Sequence, residues 1–257
     1  MSNEKVIEAK TQKLYEDIHP FIEVENTIDD YLKSLNVVPG FFRGKEILDC
    51  GFGGTGWGAE LFVRSGAKQV TGIDLNPNWP VRVGKRIRSK YPDAPLRLLH
   101  GTVLELPFEA DTFDYVHSHG VMHHTTDWKK GVAEMVRVVK PGGRIYLMLY
   151  GRFAPVGRII HFTYRTMGKI IPYGFMAWVV KKTGLYRDHE ISLLDAMYVP
   201  IEEHLSQDEI RALLEKLGCT DIQFFQSAKW EKRKFYSSRF MFGKNIQNVV
   251  WADKPSV

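Results

Sequence analysis

Glu46-Ile-Leu-Asp-Cys-Gly-Phe-Gly-Gly-Thr-Gly-Trp-Gly58 is the stretch that decides how the chain is read. A short apolar run enters a cluster of glycines, which predicts a strand over Glu46–Cys50, a tight turn and a helix over Trp57–Ser65. Two ligand chemistries use such a turn. Gly51-Phe52-Gly53-Gly54-Thr55-Gly56 fits G-x-G-x-x-G, the dinucleotide fingerprint, where a pyrophosphate sits on the helix N-terminus. Counted from Asp49, the same residues nearly fit D-x-G-x-G-x-G, where an acid ahead of the glycines accepts from an ammonium group. The loop alone does not choose.

Outward from the loop, strand-like and helix-like segments alternate. Gln69–Asp74 is a strand ending in an acid about twenty residues after the glycines, where a carboxylate accepts ribose hydroxyls in either chemistry. Pro77–Tyr91 is a basic helix, and Leu96–His100 and Phe113–His119 are strands. Trp128–Val139 carries Val132, Met135, Val136 and Val139 at helical spacing and stops at the turn Pro141-Gly142-Gly143. Arg144–Tyr150 is a buried fifth strand. After a long interruption, Ser206-Gln-Asp-Glu209 fits a capping box opening a helix to Leu217, and strands near Ile222–Gln226 and Asn248–Ala252 follow. This order predicts a mostly parallel sheet covered by helices.

Composition narrows the class further. With 257 residues, 44% hydrophobic and 25% charged, the chain reads as one soluble globular domain needing neither disulfides nor structural metal. Cys50 and Cys219 are far apart and read as buried small hydrophobes, which points to the cytoplasm. The charged N-terminus lacks a signal core, and no apolar run is long enough for a membrane span. A net charge of +5 does not demand nucleic acid, and none is expected as partner.

Downstream motifs separate the two ligands. His100-Gly-Thr-Val-Leu-Glu-Leu-Pro-Phe leads to Phe113-Asp114, then Val121-Met-His-His-Thr-Thr-Asp127, then Arg137-Val-Val-Lys-Pro-Gly-Gly-Arg144. In this order they resemble the class I S-adenosylmethionine (SAM)-dependent methyltransferases of the ubiquinone-biosynthesis type, also called methyltransferase type 11, over residues 45 to 151. The resemblance implies a Rossmann-like α/β fold, with a seven-stranded mostly parallel sheet and a helical lid inserted after the fifth strand. A single domain over 1–257 follows: cap helices in 1–44, sheet core in 45–150 and 204–257, lid in 151–203. It implies SAM as cofactor and S-adenosylhomocysteine (SAH) as product. Asp49, Gly51, Phe52 and Gly53 would hold the amino-acid end, Asp74 and Leu75 the ribose, Thr102 and Val103 the adenine, with Ser118 nearby. Two departures stand out. Thr55 replaces the family's third loop glycine, and Thr102 replaces an acid that often accepts from the adenine amino group.

A sulfonium methyl is already electrophilic, so proximity does most of the work and a base is needed only for oxygen or carbon acceptors. His119, His123 and His124 are the candidate bases, with a pocket-shaping role for His123–His124 as the competing reading. Tyr15 is the expected closing residue of the N-terminal cap, with His19 beside it. No metal is expected, because no carboxylates lie at spacings that complete a site. A small molecule is the expected acceptor, because the motifs of DNA amino and cytosine C5 methyltransferases are missing. From Gly151 to Arg187 there are seven basic residues and no acid, interleaved with aromatics, in two short helices near 155–170 and 174–183. As a lid, this segment suits an aromatic, prenyl or otherwise apolar acceptor whose anionic group Arg or Lys grips. Alternatively it lies on an anionic membrane surface and takes a lipid or quinone precursor. Asp188, His189, Glu190, Glu203 and His204 are further titratable candidates at its end. The glycine loop and the acid at Asp74 would also serve an NAD-dependent oxidoreductase or a non-catalytic SAM-binding protein.

Overall fold

The computed structural model describes residues 3–18, 35, 37–183, 190–225 and 247–256. His19, Tyr186, Arg187, Asp188 and His189 therefore lie outside the described residues. Helix α1 (Asn3–Ile18) precedes β1 (Glu46–Cys50), α2 (Trp57–Arg64), β2 (Gln69–Asp74), α3 (Trp79–Lys90), β3 (Leu96–His100) and β4 (Phe113–His119). A 3-10 turn (Met122–His124), α4 (Trp128–Val138) and β5 (Val139–Tyr150) follow. The lid helices are α5 (Pro155–Ile170), α6 (Tyr173–Thr183) and α7 (Glu190–Tyr198), and α8 (Gln207–Lys216), β6 (Thr220–Phe225) and β7 (Gln247–Asp253) close the chain.

The seven strands run in the order β3-β2-β1-β4-β5-β7-β6. The first five are parallel, while β7 is antiparallel to both β5 and β6. Chain order reverses between β1 and β4, and such a switch point opens a crevice at the C-terminal strand ends. Strand alternation feeds two cores. Leu48, Val116 and Ile145 pack with α4 and α8 on one face, whereas Ile47, Tyr115 and Tyr146 pack with Phe42, Phe62 and Trp251 on the other. A third, smaller core joins Leu14 of α1 to Val180 and Leu194 of the lid.

Local chemistry explains the element ends. Ser206 and Glu209 form the expected capping box of α8, and Asp127 caps α4 by accepting from Lys130 N–H. The Pro141-Gly142-Gly143 stretch differs from expectation: β5 already begins at Val139, paired with Phe113. Gly142, at φ 75°, donates its N–H to Lys254 O at 2.7 Å, so the glycines bend a strand instead of preceding it. Gly51 and Gly53 both have positive φ (78° and 66°), and a Cβ on Gly51 would collide with Val121.

Candidate active site

A cavity of about 280 Å³ opens at the C-terminal ends of β1 and β4. Its floor is the glycine loop with Asp49, and one wall is the end of β2 with Asp74 and Leu75. Thr102 and Val103 form the next wall, His119 to Val121 with His124 to Thr126 the opposite one, and α1 with Asp195 of α7 the roof.

Both acids at the strand ends are buried, Asp49 at 3% and Asp74 at 6% exposure. Burial, then the Asp74 charge, pushes Asp49 up to about 8, against the pull of the Ala59 N–H. Burial also raises Asp74, to about 6, less far because backbone N–H groups of Asn76, Gly53 and Leu75 stabilise its carboxylate. Asp74 accepts from Gly53 N–H at 2.9 Å and from Asn76 N–H at 3.0 Å. Asp49 Oδ2 has no hydrogen-bond partner among the described residues. Two buried carboxylates on one cavity, one with an orphan oxygen, form a receptor for positive charge.

Helix α1 closes this half by polar ties. Glu16 Oε1 accepts from Asn76 Nδ2 at 2.9 Å and Asn78 Nδ2 at 3.1 Å. Glu4 accepts from Thr126, and Glu8 Oε1 accepts from Thr102 Oγ1 at 3.1 Å. Glu8 lines the cavity and brings a carboxylate beside Thr102. No sequence signal pointed to Glu8, which is 94 residues from Thr102.

The opposite half is organised by Asp195, a residue that sequence reasoning missed. Its carboxylate is 2% exposed and accepts from Tyr15 Oη at 2.8 Å and Tyr150 Oη at 3.0 Å. His124 Nε2 lies 3.4 Å from it, while His124 Nδ1 is 2.9 Å from Ile201 O. A ring with one nitrogen on a carbonyl and the other on a carboxylate is satisfied when both carry protons. Burial pulls the His124 pKa down, but the charge and hydrogen bond of Asp195 and the Ile201 carbonyl outweigh it, and the net shift is upward. Burial and the Asp195 charge push the Tyr15 phenol well above its usual value, so it stays a neutral donor. The available signal was a lone acid inside the apolar helix Ile191-Ser-Leu-Leu-Asp-Ala-Met-Tyr198.

The histidines grouped as candidate bases are separated by the fold. His119 lines the cavity, with Nδ1 3.0 Å from Tyr146 Oη. His124 also lines it, but as the partner of Asp195. His123 is fully buried behind Tyr150, stacked on its ring at 3.8 Å, and does not line the cavity. Burial, then His124, His204 and His119, pushes its pKa well down, so it stays neutral. Ser118 is likewise buried away from the cavity.

Among the described residues, no Arg or Lys of the lid lines the cavity. Arg152 pairs with Glu209 at 2.7 Å, and Arg165 donates to the Val199 and Pro200 carbonyls. Below the lid, His161 and His204 approach opposite oxygens of Glu202 at 3.0 and 3.2 Å. Burial opposes ionisation of Glu202, but the two histidines hold it down to about 2. These three are spaced to admit a metal ion, which sequence spacing did not reveal because His161 is 41 residues from Glu202. Without one, they tie α5 to the segment before α8.

Comparison with known proteins matches this architecture. Residues 48–147 match a family model described as a methyltransferase domain. A demethylmenaquinone methyltransferase of Lysinibacillus sphaericus is 36% identical over 118 residues, 46% of this chain and 47% of that protein. One of Geobacillus is 29% identical over 149 residues, 54% of this chain and 62% of that protein. The aligned stretch thus spans about half the length of these curated relatives. Among solved structures, Haemonchus contortus phosphoethanolamine N-methyltransferase 2 in complex with SAM superposes at TM-score 0.62 and 19% identity, over all of this chain and 60% of that one. Magnesium protoporphyrin IX methyltransferase of Synechocystis, with bound SAH, superposes at 0.57 and 14% identity, over 97% and 96%. At such identities the structures bear on the fold. Residues 48–147 thus resemble a methyltransferase domain, and the seven-stranded sheet has the fold of these solved methyltransferases.

Proposed function

We propose that the chain transfers a methyl group from SAM to a small acceptor with a flat, apolar body. The observation that carries this reading is the buried pair Asp49 and Asp74 on one cavity, with Asp49 Oδ2 unpartnered. A cationic group beside Asp49 lets that carboxyl give up its proton and ionise, whereas a pyrophosphate there would oppose the ionisation of an acid already pushed up to about 8. SAM, when bound, supplies the electrophilic methyl on its sulfonium and the ammonium group that Asp49 lacks. Asp49 would hold the ammonium group and Asp74 the ribose hydroxyls, with Gly51, Phe52, Gly53 and Leu75 forming the wall between. Thr102 and Val103 would flank the adenine, with Glu8 supplying the carboxylate that position 102 lacks.

Acceptor chemistry belongs to the other half. Trp57 and Tyr150 line the cavity there and favour an aromatic body. The name of the relatives makes demethylmenaquinone the particular candidate to test first. An anionic group on the acceptor gains no support from the lid's described basic side chains, none of which lines the cavity. His119 is the best-placed base: the tautomer that donates Nδ1–H to Tyr146 carries its lone pair on Nε2. His124, tied to Asp195, is a positioning residue, and Tyr15 seals the roof through the same carboxylate.

Thermal unfolding with SAH and with NADH tests the cofactor. SAH should raise the melting temperature and NADH should leave it unchanged, because only a ligand bound by the native state stabilises it. Stabilisation by NADH alone would overturn the reading. Turnover with SAM carrying a deuterated methyl and demethylmenaquinone, followed by mass spectrometry, then tests the acceptor.

A further inference from the structure

Helix α5 is amphipathic, yet its apolar side faces solvent. Gly157 is its only buried residue, and at Gly168 a Cβ would strike the Met197 backbone, so the glycine-bearing face packs on α7. The opposite face carries Ile159, Phe162 and Ile170, exposed by 67%, 71% and 76%. Phe175 and Trp178 extend this face onto α6, exposed by 56% and 57%. Of nine large apolar side chains exposed among the described residues, seven lie on these two helices. Such concentration is unusual for a surface that meets only water.

Charge identifies what covers the face. Arg158, Lys169 and Lys182 are exposed on the same two helices, and no acid occurs between Gly151 and Arg187. Aromatic and aliphatic side chains flanked by cations, with no acid in either helix, are the chemistry of a helix lying in the headgroup layer of an anionic bilayer. A protein partner or second copy imposes no such exclusion of acids. Among the described residues no helix is long and apolar enough to cross a membrane. We infer that the outer face of α5 and α6 docks the chain on an anionic lipid surface. Helix α7 lies beneath this face and carries Asp195 into the cavity, so docking sets the lid between lipid and cavity. The docking stands apart from the proposed methyl transfer, while its use for loading a lipophilic acceptor rests on that reading.

The test is co-sedimentation of the full chain with vesicles of phosphatidylcholine alone and of phosphatidylcholine with phosphatidylglycerol. The chain should pellet with the anionic vesicles, and added salt should weaken the binding. The double variant Phe162→Glu/Trp178→Glu should bind about tenfold or more weakly, the scale of losing the burial of large side chains. Its melting temperature and its stabilisation by SAH should match wild type, because both side chains are exposed. Arg158→Gln/Lys169→Gln should weaken binding to anionic vesicles selectively. Wild-type chain left in the supernatant, or unaltered binding by the Glu variant, overturns the inference. So does a wild-type dimer that this variant converts to monomer, which would make the face an interface between copies. The SAH response of the same samples reports on the cavity separately, so a failure of docking is distinguishable from a failure of the cofactor reading.

Discussion

The two halves of the cavity are built on opposite plans. The Asp49–Asp74 half comes from one contiguous β-turn-α-β segment, with its two acids held at adjacent strand ends. The Asp195 half draws Tyr15, His124, Tyr150 and Asp195 from four separate elements, with Tyr15 and Asp195 180 residues apart. The first half leaves a carboxylate oxygen without a partner, whereas the second saturates its carboxylate with donors. An unsatisfied site is organised for a ligand, and a satisfied one for holding the protein's own shape.

That contrast can be broken by mutation, and the largest effect is expected at Asp195. Asp195→Ala leaves His124 buried without its counter-ion and should cost about 3–5 kcal/mol of stability, read by urea unfolding at neutral pH. A loss below about 1 kcal/mol would mean the cluster is not the lock described. The pH dependence has a definite sign. The folded pKa of His124 lies above its ordinary 6.5, so its stabilisation is full below that value and fades as pH rises through the folded pKa. His119→Asn should lower kcat by about a hundredfold or more for an oxygen or carbon acceptor, with SAH affinity unchanged in calorimetry. Unchanged kcat would remove the base from His119.

The carboxylate pair should respond differently. Asp74→Ala should weaken SAM binding by roughly 1.5–3 kcal/mol, the scale of lost charge-assisted hydrogen bonds. Asp49→Asn should weaken SAH binding too, yet stabilise the ligand-free protein. The folded pKa of Asp49 is raised to about 8, so the carboxyl destabilises the fold increasingly as pH rises from its unfolded value toward 8, and a neutral amide escapes that cost. Binding of SAH near pH 7 should then release a proton, seen as a buffer-dependent heat in calorimetry. A variant that loses both stability and binding would show Asp49 to be structural. The smallest effect is expected at Thr102→Val, about 0.5–1.5 kcal/mol in stability, because its hydroxyl makes only two long, partly exposed hydrogen bonds, donating to Glu8 at 3.1 Å and accepting from Leu104 N–H at 3.3 Å.

What was legible in the sequence follows the same division. The strand bearing Asp49, the strand ending at Asp74 and the capping box at Ser206 are each specified by neighbours a few residues away. Local periodicity and turn chemistry therefore sufficed for them. Glu8, Asp195 and Glu202 acquire their partners only through tertiary packing of helices on the sheet, and nothing in their immediate neighbours names those partners. The lid misled for a related reason: composition reports that residues are basic but not which side of a helix they occupy. Arg152 and Arg165 are taken up by Glu209 and by backbone carbonyls, and Arg158 and Lys169 face outward.

The Asp195 cluster also bears on the timing of turnover. Tyr15 belongs to the roof helix, Asp195 to the lid and Tyr150 to the sheet, so lifting either cover separates an oxygen from a carboxylate that burial makes costly to strand. Under the proposed reaction, exit of product past these covers requires breaking the same contacts. Opening should limit the steady-state rate, giving a first-turnover burst and little sensitivity to isotopic substitution of the transferred methyl. Tyr15→Phe should erode that burst by loosening the latch from the roof side.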